Sequence, residues 1–288
     1  MSESKAANAA ATGNANLLMR IAAALVLAPA AIAAGYAGGW LWTAALTMVA
    51  IGLYIEWLMV VGLLGERRAA IGGSVALAVA GACLMVGRIE LAWTVLAVGA
   101  VAVALLSSRL RNWSAAGFIY AAAAQMASVL LRIDPEMGFA AVVFVFLVVW
   151  VTDIGGYFAG RGIGGPKLWS RVSPKKTWSG AIGGFAASLA VAAAFALLAP
   201  YRDGQLLALK IGPLLGLGAV LSIVSQLGDL FESAVKRRFG VKDSSQLIPG
   251  HGGLMDRLDG FIAAIVVAAV FGVLRGGVDG AGRALMVW

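Results

Sequence analysis

Apolar runs of about twenty residues follow one another from residue 18 to residue 275, each long enough to cross the hydrocarbon core of a bilayer as a helix. Inside lipid every backbone N–H and C=O must find its partner within the segment, so such runs fold as helices. Nine spans are read, roughly 18–34, 39–64, 69–86, 89–106, 114–131, 138–160, 178–199, 206–226 and 258–275. The expected fold is therefore an all-α polytopic membrane protein. With 61% hydrophobic and 12% charged residues, the chain lacks the polar surface that a soluble domain needs. The net charge of +8 does not imply a nucleic-acid partner, because the basic residues sit in gaps between apolar runs rather than along one soluble face. They suit attraction to anionic membrane lipid or to phosphate groups. The single cysteine, Cys83, lies within an apolar run and excludes an intramolecular disulfide.

The distribution of Lys and Arg sets the orientation. Under nine spans, sixteen of the twenty-two fall on one side of the membrane and six on the other, which places the N-terminus in the cytoplasm and the C-terminus outside. Ala31-Ile32-Ala33-Ala34 imitates a leader cleavage site, but the polar and small residues before Arg20 argue against one. Two long cytoplasmic loops, 161–177 and 227–257, carry most of the charge, the only histidine and the Ser-Pro and Pro-Gly turn signals. Residues 1–135 are read as scaffold helices and residues 136–288 as the catalytic region.

Carboxylates within or at the rim of a span are costly and tend to be functional, which singles out Asp153, Asp229, Asp256 and Asp259, with Glu56 behind them. Asp256 and Asp259, three apart at the start of the last span, share one helix face. Stabilisation of the helix N-terminus, or pairing with Arg257, accounts for one such aspartate better than for two. If the preceding segment is helical, Asp229, Glu232, Ser233 and Lys236 also share a face. Carboxylates from two helices make a hard oxygen site suited to Mg²⁺, whereas one His and one Cys leave too few ligands for zinc.

Cations surround these acids: Lys175 and Lys176, then Lys236, Arg237, Arg238 and Lys242. Such an alternation fits a polyphosphate whose developing charge must be neutralised. Gly155-Gly156, Gly160, Gly162, Gly164-Gly165 and Pro249-Gly250-His251-Gly252-Gly253 are runs that let backbone N–H groups approach a phosphate, and the last feeds into a helix N-terminus and leaves His251 open to substrate. The P-loop sequence is absent.

The stretch from Ser233 through Lys236-Arg237, Lys242-Asp243 and Pro249-Gly250-His251-Gly252-Gly253 to Asp256-Arg257-Leu258-Asp259 resembles the signature of the phosphatidate cytidylyltransferase (CDP-diglyceride synthase) family. The resemblance extends upstream through Gln226-Leu227-Gly228-Asp229-Leu230-Phe231-Glu232-Ser233, Ser173-Pro174-Lys175-Lys176-Thr177-Trp178 and Asp153-Ile154-Gly155-Gly156-Tyr157-Phe158-Ala159-Gly160-Arg161. It departs at Ser179, where the family has Glu, and at Gly260, where it often has Ser. It implies that CTP and phosphatidic acid meet at the cytoplasmic face of the inner membrane, with Asp229, Asp256 and Asp259 holding Mg²⁺, K⁺ beside it, and a homodimer. Lys236 and His251 join the aspartates as catalytic candidates. Asp153, Lys175, Lys176, Ser233, Arg237, Lys242, Asp243, Gly252, Gly253 and Arg257 are the substrate-binding candidates. A CTP-dependent polyprenol kinase or an ether-lipid cytidylyltransferase would draw on similar chemistry. A transporter would call for paired broken helices in both halves, and the first half offers no counterpart to either loop.

Overall fold

The computed structural model describes residues 25–198, 201–202, 205–206, 209–245 and 252–288. Among them, eight helices are long and apolar enough to cross a membrane: α2 (Gly39–Val60), α3 (Arg67–Met85), α4 (Ile89–Leu106), α5 (Arg111–Arg132), α6 (Gly138–Gly162), α7 (Trp178–Leu197), α8 (Ile211–Arg238) and α9 (Met255–Gly276). The first expected span begins outside the described residues; its described part is the shorter helix α1 (Leu25–Ala37). A short C-terminal helix, α10 (Ala281–Met286), follows α9. Between α6 and α7 lies an antiparallel hairpin of β1 (Lys167–Trp169) and β2 (Ser173–Thr177), and between α7 and α8 the two-residue strands β3 (Tyr201–Arg202) and β4 (Gln205–Leu206).

Several boundaries differ from the hydropathy reading, among them the α2 end (Val60 rather than 64) and the α8 start (Ile211 rather than 206), for one physical reason: apolar content marks the bilayer, whereas helix ends are set by turns and caps. The eighth helix does not stop at 226 but runs to Arg238, so the expected loop 227–257 begins only after three further helical turns. It stops where Gly240 takes φ 72° and the Val241 N–H returns to the Lys236 carbonyl at 3.0 Å, a left-handed helix ending that glycine accommodates without strain. The ninth helix begins at Met255 rather than 258.

Lipid tails are as apolar as leucine, so helices here associate through close packing and polar contacts rather than through the hydrophobic effect. The α6–α7 seam shows this most clearly. Gly155 and Gly156 on α6 lie against Gly180, Gly183 and Gly184 on α7, and a Cβ on Gly184 would sit 2.5 Å from the Thr152 carbonyl. The Gly155-Gly156 run, read from sequence as a phosphate approach, serves helix–helix contact, and Gly156 also lines a polar cavity beside the seam. Thr152 donates to Ser222 at 3.0 Å and joins α6 to α8, a bond of the kind worth ~0.6 kcal/mol between membrane helices. The N-terminal helices meet α8 through rings: Trp57 on α2 and Tyr120 on α5 both lie against Phe231, at 6.2 and 6.3 Å between centroids.

Candidate active site

The chemistry-bearing residues gather where the hairpin, α6, α7, α8 and the start of α9 meet. Gly164 and Gly165, at φ 66° and 104°, turn the chain out of α6 into β1. Thr177 ends β2 and caps α7, its hydroxyl accepting the Gly180 N–H at 3.1 Å. Ser179, where a glutamate was expected, bonds instead to the Gly164 carbonyl and to Thr177. The Ser173–Thr177 strand is thus pinned at its end, with its two lysines over the mouth of a cavity.

That cavity has a volume of about 470 Å³ and is walled by Asp153, Tyr157 and Arg161 of α6, Lys175 and Lys176 of β2, and Gln226 and Asp229 of α8. Lys176 pairs with Asp229 at 2.5 Å, and Ser233 donates to the other Asp229 oxygen at 3.3 Å. A second, apolar cavity of about 430 Å³ adjoins it and is lined by Trp169, Trp178, Ile182, Phe185, Ile223 and Leu227 among others. The two share Leu168, Ala181 and Gln226.

α8 and α9 approach closely at Gly228, where a Cβ would lie 2.7 Å from the Asp259 carbonyl. Gly260, often serine in the family that the sequence resembles, faces the Ser225 backbone at the same seam. This approach brings Asp259 within electrostatic reach of Asp229, Glu232 and Asp153. Four acids thus share one region, and the buried Glu232 Oε1 has no hydrogen-bond partner among the described residues.

Asp256 carries its own set of partners. One of its oxygens accepts Lys236 Nζ at 2.5 Å; the other accepts the Ser244 N–H (2.9 Å), the Ser244 hydroxyl (3.0 Å) and the Gly253 N–H (2.9 Å). Lys236 also pairs with Glu232 at 2.8 Å. The sequence reading groups Asp229, Asp256 and Asp259 around one ion; in the structure Asp256 is already engaged by Lys236 and by the Ser244 and Gly253 N–H groups. Among the described residues no three His, Cys, Asp or Glu side chains form a metal-ligand group. Lys236, expected to meet phosphate, lies buried between two carboxylates.

Gly252 and Gly253 pack closely against neighbouring side chains, and the Gly253 N–H is taken by Asp256. A Cβ on Gly252, at φ 81°, would lie 2.9 Å from an Asp256 oxygen, and one on Gly253 would strike Ser244 and Glu56. Arg237 is exposed and donates to the Val241 carbonyl at 3.3 Å, closing α8, while Lys242 and Asp243 are exposed beyond it. Arg257 reaches the field of Asp153. His251 lies outside the described residues. Sequence reading passed over Arg161, Tyr157 and Gln226 as site residues, although all three stand in stretches that carry the resemblance. It also ranked Glu56 low, whereas this buried α2 carboxylate takes four hydrogen bonds from the segment that opens α9.

Comparison with known proteins bears on the family. The sequence pattern of the cytidylyltransferase family matches residues 18–274. A phosphatidate cytidylyltransferase of Brucella suis biovar 1 (strain 1330) is 41% identical over 261 residues, covering 90% of this chain and 94% of that protein. A second, from Brucella abortus biovar 1 (strain 9-941), matches to the same extent. One from Staphylococcus aureus (strain COL) is 45% identical over 121 residues, 42% of this chain and 44% of its own. The chain belongs to the cytidylyltransferase family.

Proposed function

We propose that the protein is a multi-pass membrane enzyme that transfers the cytidylyl group of CTP to phosphatidic acid, forming CDP-diacylglycerol and pyrophosphate at the inner face of the cell membrane. The observation that carries this reading is the junction of the two cavities. A substrate with a phosphate at one end and acyl chains at the other needs a charged chamber continuous with an apolar one. The polar cavity and the Trp169–Leu227 groove, which share Leu168, Ala181 and Gln226, supply that pairing.

In the reaction a phosphate oxygen of phosphatidic acid attacks the α-phosphorus of CTP, the bond to the β-phosphate breaks, and its electron pair leaves with pyrophosphate. The attacking oxygen is already anionic, so positioning and charge neutralisation supply most of the acceleration. Lys175, Lys176 and Arg161 bring positive charge to the polar cavity, and Gln226 stands where it meets the apolar one. Asp229 holds Lys176 in place through their ion pair.

A magnesium ion fits the acids beside this chamber. Mg²⁺ is usually held by one or two carboxylates completed by water and substrate phosphate oxygens, so a three-acid cage is not required. Asp229 and Asp259 would hold it, with the unpartnered Glu232 oxygen alongside, and it would supply charge neutralisation on the polyphosphate. The test incubates purified protein with phosphatidic acid and each of the four nucleoside triphosphates, with and without Mg²⁺, and measures pyrophosphate and lipid product. Pyrophosphate release with CTP and Mg²⁺ alone is the expected result. Transfer of the γ-phosphate, leaving CDP and no pyrophosphate, would instead identify a lipid kinase.

A further inference from the structure

We propose that Glu56, on α2 and nearly two hundred residues from the α9 start in sequence, is a positioning residue that sets where α9 begins and how Asp256 and Asp259 are presented. The inference rests on the cytidylyl-transfer reading above. Glu56 lies near the C-terminal end of the apolar helix α2 and is 2% exposed. Its Oε1 accepts the Ser245 hydroxyl at 2.6 Å and the Leu254 N–H at 2.8 Å; its Oε2 accepts the Met255 N–H at 2.7 Å and the Ser244 hydroxyl at 3.1 Å. The first N–H groups of a helix have no partner within it and need an outside acceptor. α9 has no side-chain cap of its own, since its N-cap position is Leu254. Glu56 provides that acceptor from 198 and 199 residues away in sequence.

The contact does more than close a helix end. The single Ser244 hydroxyl proton is shared between Glu56 and Asp256, at 3.1 and 3.0 Å, and Asp256 in turn meets Lys236. A polar chain therefore runs from α2 through Ser244 and Asp256 to Lys236 and Glu232 on α8. One turn beyond Asp256 on α9, Asp259 faces Asp229. Moving the start of α9 moves both aspartates relative to α8.

Glu56→Gln keeps size and shape but replaces one oxygen by an NH₂ group. A serine hydroxyl can turn to accept from it, whereas the Leu254 or Met255 N–H cannot, so one of these donors is left facing another donor. Misplacing a reacting group by about 1 Å costs up to about 10²-fold in rate. The expected result is therefore a kcat per folded molecule lower by about 10- to 100-fold. The groove on α7 and α8 does not include α2, so the KM for phosphatidic acid should stay within about threefold. Amide exchange at Leu254 and Met255 should rise.

Ser244→Ala breaks the same chain while leaving both backbone contacts to Glu56 in place. It should lower kcat by about three- to tenfold, and the double variant should be less than multiplicative, as expected for two links of one chain. A purely structural Glu56 would reduce the yield of folded protein with kcat per folded molecule unchanged. That outcome in Glu56→Gln, multiplicative effects in the double variant, or unaltered amide exchange would overturn the proposal. If Glu56→Gln does not insert, an undiminished kcat in Ser244→Ala overturns it instead. If the unaltered protein releases no pyrophosphate from CTP, the cytidylyl-transfer reading fails, and amide exchange still decides whether Glu56 holds the segment.

Discussion

Replacing Lys236 by methionine separates two readings of one residue. The side chain lies between Glu232 at 2.8 Å and Asp256 at 2.5 Å, and methionine keeps most of its length while removing the charge. Asp256 would retain three donors from Ser244 and Gly253. Glu232 would retain none, because it is 2% exposed and its other oxygen already has no partner among the described residues. Removing one member of a buried ion pair costs about 3–5 kcal/mol. The donors left on Asp256 put the expectation near the lower figure, about 3 kcal/mol, or roughly 10²-fold in the ratio of folded to unfolded protein. At about 2–4 °C per kcal/mol for a protein of this size, the thermal midpoint in detergent should fall by about 6–12 °C. Fluorescence-detected size exclusion after heating measures it. Adding Glu232→Gln removes the stranded charge and should restore about half of the loss. A Lys236→Met protein with an unchanged midpoint and a much higher KM for CTP would refute the argument, since that is the behaviour of a phosphate ligand rather than of a buried counter-charge.

Lys176→Ala should behave in the opposite way. Its pair with Asp229 is only half-buried, at 27% and 32% exposure, nearer to surface pairs worth about 0–1 kcal/mol than to a buried pair, so the midpoint should fall little while kcat/KM falls by about 10²-fold in the pyrophosphate assay. Asp229→Asn should lower turnover by a similar factor, and EDTA should abolish it in the unaltered protein until Mg²⁺ is added back; full activity in EDTA would remove the metal from the scheme. Gly184→Leu should abolish folded, monodisperse protein because its side chain meets the Thr152 carbonyl, whereas Gly216→Ala, with open space at its Cβ, should be neutral by the same measurement. Ile223→Glu places a charge in the apolar groove and should raise the KM for phosphatidic acid about tenfold or more, with the KM for CTP little changed.

The helices were legible because each carries its own evidence: a run of apolar residues long enough to span. α2 through α7 lie close to where hydropathy puts them, and the shared face of Asp229, Glu232, Ser233 and Lys236 is present because α8 continues through it. The family was legible because its motif is long and nearly contiguous. Lost were the properties that depend on which distant segment lies opposite. Gly155 and Gly156 look the same in sequence whether they face a phosphate or another helix, and only the presence of Gly180, Gly183 and Gly184 across the seam decides. Lys236 resembles any cytoplasmic lysine until Glu232 and Asp256 are found around it. Glu56 looked like a minor candidate in a scaffold because its four donors lie nearly two hundred residues away.

The glycine contact between α6 and α7 has a bearing on how the chamber can adapt. Two helices that touch backbone to backbone have no rotamers between them to reshuffle, so the panel bearing Asp153 and the start of α7 cannot yield by a fraction of an ångström here and there. Give must come from the opposite side, where the lysine-bearing hairpin is held by the side chains of Thr177, Ser179 and Asp229. Inhibitors that grow toward the hairpin should find accommodation, and those that grow toward the panel should be refused.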